Sequence, residues 1–132
     1  MPDSKIYERL TELTEGLLYI SETESEFSVY EVEPGEMDGI NSFMEDIADM
    51  PAVSFEDENA QTFFESLLSS MNVDDKIMQQ LKGRYEELFT YLQSTFKSIR
   101  VVTAGDVERH IFIICCTEEP GCFLLHTIAV ES

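Results

Sequence analysis

The sequence predicts an α+β fold: an antiparallel four-stranded sheet sandwiched between helices, an α-β-α sandwich, in one domain over residues 1–132. Three observations carry the prediction. Up to Phe96, apolar residues recur mainly at intervals of three and four, the mark of amphipathic helices. After Ile99 the period becomes that of strands, punctuated by the turn signals Ala104-Gly105-Asp106 and Glu118-Glu119-Pro120-Gly121. The stretch His110-Ile-Phe-Ile-Ile-Cys-Cys116 is apolar on both faces, as suits a central strand covered by helices on each side.

The elements follow in order. Asp3 or Ser4 can cap a first helix with Ile6, Leu10 and Leu13 on one face, and Gly16 is placed to end it. The apolar quartet 17–20 is too short to classify and is expected to pack beneath the acidic loop that follows. Alternation from Phe27 to Glu33 reads as a strand stopped by Pro34-Gly35. Ile40, Phe43, Met44 and Ile47 form a second helix that ends near Pro51. Ser54 is expected to cap a third, with Glu56, Asp57 and Glu58 in its first turn and Phe63, Phe64, Leu67, Leu68 and Met71 on its apolar face. Asn72 is expected to cap the longest helix, whose stripe is Val73, Ile77, Leu81, Tyr85, Leu88, Leu92 and Phe96. Gly83 interrupts that stripe, as expected where a neighbouring element packs closely. The remaining strands cover 99–103, 107–117 and 122–130.

A chain of 132 residues, 43% hydrophobic, can build a core without metal or disulfide staples. Its net charge of −19 bears on partners more than on fold. Such charge disfavours nucleic acid and anionic membrane and favours a basic cleft on another protein. No apolar run approaches the roughly 18 residues of a membrane span, and no signal segment opens the chain, so the expected location is cytoplasmic. Cys115, Cys116 and Cys122 read as buried small apolar residues in a reducing compartment. Adjacent strand residues point to opposite faces, so Cys115 and Cys116 would not readily share a metal.

Catalytic signatures are missing. The sequence holds no Cys-x-x-Cys pair, no His-Glu-x-x-His, no Gly-rich phosphate loop and no Gly-x-Ser-x-Gly elbow. Its two histidines, His110 and His126, lie inside strands and read as structural rather than as ligands. The expectation is therefore a protein that is not an enzyme and needs no cofactor. The stretch that asks for a function is the loop Ser21 to Glu26, where Glu22, Glu24 and Glu26 alternate with Ser21, Thr23 and Ser25 between apolar anchors. On composition alone it reads as a solvated connection.

The block Glu15-Gly-Leu-Leu-Tyr-Ile-Ser-Glu-x-Glu-x-x-Phe resembles the opening segment of the nuclease A inhibitor-like family, acidic proteins that inhibit sugar-nonspecific DNA/RNA endonucleases. The similarity resumes at Tyr85-Glu-Glu-Leu-Phe, passes through Val101-Val-Thr-Ala-Gly-Asp-Val-Glu and ends at Val130-Glu-Ser132. Between Glu33 and Asn72 it lapses; the family's middle segment includes a tryptophan, and this chain has none. What the resemblance implies is an inhibitor, monomeric when free, that occupies the active site of a ββα-metal nuclease. It implies partner-binding roles for Glu22, with Glu24 beside it, and for the carboxylate of Ser132 near the nuclease's metal, with Glu131 adjacent. The alternative for a chain of this size and acidity is a dimeric chaperone of secreted effector proteins; those commonly finish in a helix, whereas strand 122–130 closes this chain.

Overall fold

Burial on both faces makes residues 110–115 the axis of the molecule. In the structure, a computed structural model that describes residues 2–20, 24–32, 39–50, 55–71, 74–117 and 121–130, they belong to β6 (Glu108–Cys116), buried from His110 to Cys115. Strand β6 pairs antiparallel with β5 (Ser98–Ala104) on one side and β7 (Cys122–Val130) on the other. Outside these lie β3 (Ser28–Val32), paired with β7, and β4 (Phe55–Glu58), paired with β5. The sheet is thus five-stranded, in the order β3-β7-β6-β5-β4, where the sequence led us to expect four strands.

The added strand is β4, in the stretch expected to open a helix. Three acidic residues in succession look like a helix's first turn. Here they form an edge strand instead: residues 55–58 pair with 101–104 of β5, Phe55 packs on the core beneath, and Arg100 on β5 holds Asp57 through Nε–Oδ1 and Nη2–Oδ2 contacts of 2.6 and 3.2 Å. That hydrogen bond holds the Asp57 carboxyl below the usual carboxylate range. Charge along an outer strand also discourages pairing with another chain. The third helix accordingly starts later, at Ala60, and its cap is Asn59, whose side chain accepts from Thr62 N at 2.9 Å. Ser54 lies outside the described residues.

Strand alternation sends successive side chains into two cores. Ile111, Ile113, Cys115, Phe123 and Leu125 pack with residues of α1 (Pro2–Thr14), α3 (Ala60–Ser69) and α4 (Lys76–Thr95), chiefly Leu10, Phe64, Tyr85, Leu88 and Leu92. Phe112, Ile114 and Leu124 face the other way, onto Ile40, Met44 and Ala48 of α2 (Ile40–Ala48). Helices therefore cover both faces, three on one and a single short one on the other. Helix α1 begins at Pro2, so Asp3 and Ser4 lie inside its first turn rather than at its cap; it gives way at Gly16, whose φ of +69° suits glycine.

Helix α4 departs from expectation at its start. Its cap is Asp75, which accepts from Ile77 N at 2.8 Å, and Ile77 is 72% exposed rather than part of the stripe. Asn72 and Val73 lie outside the described residues. Gly83 does not mark a close approach either, since a Cβ there would meet nothing within 4 Å. None of the described helices is long and apolar enough to cross a membrane.

The cysteines are also not as expected. Cys116 and Cys122 face each other at the end of the β6–β7 register and form a disulfide. Adjacency in sequence hid this, because Cys115 points into the opposite core, where burial pushes its thiol up and keeps it protonated. Only Cys115 is a buried free thiol, so the pattern no longer argues for a reducing compartment.

Two glycine substitutions should move stability in opposite directions. Gly83→Ala, with open space and helical backbone, should stabilise by about 0.5–1 kcal/mol. Gly105→Ala should destabilise by more than that, since φ is +104° and the new methyl would strike the Glu108 carbonyl. Urea unfolding midpoints of the two variants check both signs.

Candidate functional site

The second half of the acidic loop, Glu24 to Glu26, is a strand of a small two-stranded hairpin. β1 (Leu18–Ile20) and β2 (Glu24–Glu26) pair antiparallel, with Leu18 opposite Glu26 and Ile20 opposite Glu24. Its root is held from below. Leu17 is fully buried, and Tyr85 on α4 donates its hydroxyl to the Leu18 carbonyl at 2.9 Å. The same ring meets Phe27 edge-on at 6.2 Å, just past β2. Burial raises the Tyr85 hydroxyl well above its ordinary pKa, so it stays a donor. One residue earlier on α4, Arg84 donates to the carbonyls of Leu13 and Glu15 at 3.2 and 2.7 Å, satisfying acceptors that the end of α1 leaves open.

The hairpin is also fastened sideways. Regular pairing of β3 with β7 starts at Ser28 and His126. Beyond that point side chains take over from the ladder. Thr127 donates its hydroxyl to the Glu26 carbonyl at 3.2 Å, and the Ile128 amide donates to Ser25 Oγ at 3.3 Å. Strand β2 therefore lies along the last residues of β7. Ser25 turns inward for this contact, and strand alternation leaves Glu24 and Glu26 pointing outward and exposed.

Of the four residues expected to bind a partner, Glu24 is the one described; Glu22, Glu131 and Ser132 lie outside the described residues. The strands that lead to them are adjacent: Glu24 follows the hairpin tip, and Val130 precedes Glu131. Sequence reasoning missed the fasteners. Ser25 and Thr127 carried no signal beyond ordinary polar positions, and Tyr85 read as one more member of a core stripe. Chemically, the assembly can hold carboxylates in fixed places and accept hydrogen bonds from a cationic group. Among the described residues, no group of three or more His, Cys, Asp or Glu is arranged to hold a metal ion.

On the opposite face of the same sheet end, His110 and His126 form a buried pair. Nδ1 of His110 and Nε2 of His126 are 2.9 Å apart, sharing one proton between them, and the rings stack with Phe112. Each histidine thus satisfies the other, a structural role. Burial lowers both pKa values, that of His126 to about 4, where the charge of His110 would also oppose protonation.

The family model for nuclease A inhibitor-like protein matches residues 4–132 of this chain. The chain belongs to the nuclease A inhibitor-like family. The match runs through the middle segment in which the sequence resemblance lapses, so the missing tryptophan does not take that segment out of the family. No curated protein matches the chain closely enough to add a relative. Membership points to a nuclease-inhibitor role in general, with a nuclease as the class of partner.

Two measurements check this geometry. Tyr85→Phe removes the hydrogen bond to Leu18 and should cost about 1 kcal/mol, because a part-buried carbonyl loses its donor; denaturant unfolding reads it. The histidine pair has a definite sign. Its pKa values are lowered on folding, so between pH 6.5 and about 4 the unfolded chain binds more protons and stability falls with falling pH. His126→Phe should be less sensitive to pH in that window than the parent, as melting temperatures at matched pH will record.

Proposed function

We propose that the protein inhibits a sugar-nonspecific DNA/RNA endonuclease of the ββα-metal type by filling its active site with two acidic segments. One is the segment between β1 and β2 with Glu22, flanked by Glu24; the other is the segment after β7 with Glu131 and the carboxylate of Ser132. The observation that carries the reading is the bond from the Ile128 amide to Ser25 Oγ. It fixes the strand bearing Glu24 beside the strand that leads into Glu131 and Ser132. Family membership supplies the class of partner.

The chemistry follows from the groups. An α-carboxylate has a pKa of about 3.5 and is ionised at neutral pH. It is a hard oxygen ligand of the kind that Mg²⁺ accepts, directly or through retained water. Glu22 can take paired hydrogen bonds from an arginine that would otherwise grip the scissile phosphate. Two carboxylates held apart imitate the charge of the substrate and offer no phosphodiester to cleave. Buried anchors on both sides of the hairpin reduce the ordering that binding must otherwise impose. The surplus negative charge chiefly speeds the encounter with a basic cleft.

Mixing the protein with a panel of ββα-metal nucleases and following DNA degradation tests the reading; inhibition of none would sink it. For an inhibited enzyme, Glu22→Ala should weaken binding by more than about 1 kcal/mol, roughly fivefold. Removing Ser132, or extending the chain beyond it with a tag, should weaken inhibition far more than the same tag at the N-terminus. Equal effects from the two tags would take the carboxylate out of the mechanism.

A further inference from the structure

The β5–β6 turn lies at the end of the sheet where β2 runs along the last residues of β7. Glu108, the first residue of β6, is the cross-strand partner of Val130, the last described residue of β7. The preceding residue, Val107, is 58% exposed, and only Tyr7 and Ile77 join it as exposed large apolar residues among those described. A lone exposed valine is ordinary. A β-branched residue raised on a tight turn between Asp106 and Glu108, beside the end of β7, is placed to meet whatever docks there. The turn's shape is set by Gly105, whose φ of +104° no side-chain-bearing residue adopts easily and against whose backbone Met50 packs.

Beside that knob the surface is concave. An open hollow of about 700 Å³ is bordered by Met50, Glu56, Thr103, Ala104, Asp106 and Arg109. The Arg109 guanidinium is directed to its own neighbours, donating to Glu58 Oε1 at 3.3 Å and Thr103 Oγ1 at 3.0 Å. Glu56 and Asp106 border the opening and are exposed. The lining is mostly polar, with Met50 and Ala104 as its apolar part; two exposed carboxylates beside them fit the cationic head and alkyl stem of a lysine or arginine.

We infer that the inhibitory surface extends across this end of the sheet to the β5–β6 turn, with Val107 as an apolar contact and the adjoining hollow receiving a basic side chain of the bound nuclease. This rests on the nuclease-inhibitor reading above. It adds a second contact region on the far side of β7 from the hairpin. An apolar knob next to a charged cleft excludes water from neighbouring ion pairs, whereas carboxylates alone chiefly raise the rate of encounter.

The test uses the full chain and a ββα-metal nuclease that the unaltered protein inhibits, with association and dissociation rates measured at two salt concentrations. Val107→Ala should weaken binding about tenfold, mostly through faster dissociation. Glu56→Gln combined with Asp106→Asn should slow association and flatten its salt dependence. Glu31→Gln, which removes a charge from an exposed position opposite Phe123 near the other end of the sheet, is the control and should change both rates little. If Val107→Ala binds like the parent and the double variant behaves like Glu31→Gln, the extension is overturned while inhibition stands. If the unaltered protein inhibits no nuclease in the panel, the functional reading fails and this inference with it.

Discussion

Everything in this molecule leans on the β6–β7 pair. From His110 to Cys115 and from Cys122 to Thr127 both strands are buried, so each residue feeds one of two cores and none can slip register. A shift by one residue would exchange the side chains packed under α4 with those packed under α2. That constraint positions the rest. Strand β3 adds to β7 and β5 to β6, and β2 can reach Thr127 and Ile128 only because β7 is fixed. A net charge of −19 works against compaction, and the apolar pair at the centre is what offsets it.

The arginines are spent inside the molecule. All four arginines are engaged there: Arg9 with Glu12 and Glu87, Arg84 with the end of α1, Arg100 with Asp57, and Arg109 with Glu58 and Thr103. These exposed or half-exposed contacts add little stability individually. Their effect on the surface is larger, because they leave carboxylates as its dominant charge. This fits a protein whose family acts against nucleases, enzymes that bind a polyanion.

How far the sequence could be read depended on whether a segment's signal was local. The double-sided apolar run of β6, the turn at Gly105 and the stripe of α4 from Tyr85 to Leu92 are patterns along the chain, and all were legible. Strand β4 was not: Phe55-Glu56-Asp57-Glu58 alternates poorly, and what makes it a strand is the edge of β5 that it pairs with far along the chain, where Arg100 also holds Asp57. The disulfide was hidden for the same reason, since only the register sets Cys116 against Cys122 and turns Cys115 away. At the site, resemblance pointed to Glu22 of the acidic loop, with Glu24 beside it, and to Ser132, with Glu131 adjacent; of these, Glu24 alone is among the described residues. Nothing in the sequence revealed that Ser25 and Thr127 fasten that loop to the last strand, because hydroxyl groups have no period and reveal their partners only in three dimensions.

The two ends of the central hairpin are closed by different means. At one end Cys116 and Cys122 are joined covalently; at the other β2 is tied to β7 by hydroxyl groups in place of a continuous ladder. Local opening follows the weaker closure. Amide exchange should therefore be graded along β7, slow near Phe123 and faster toward Ile128, where the amide's partner is a serine side chain. That end is also the acidic end, so a docked partner would leave its clearest trace there, as slowed exchange toward Ile128.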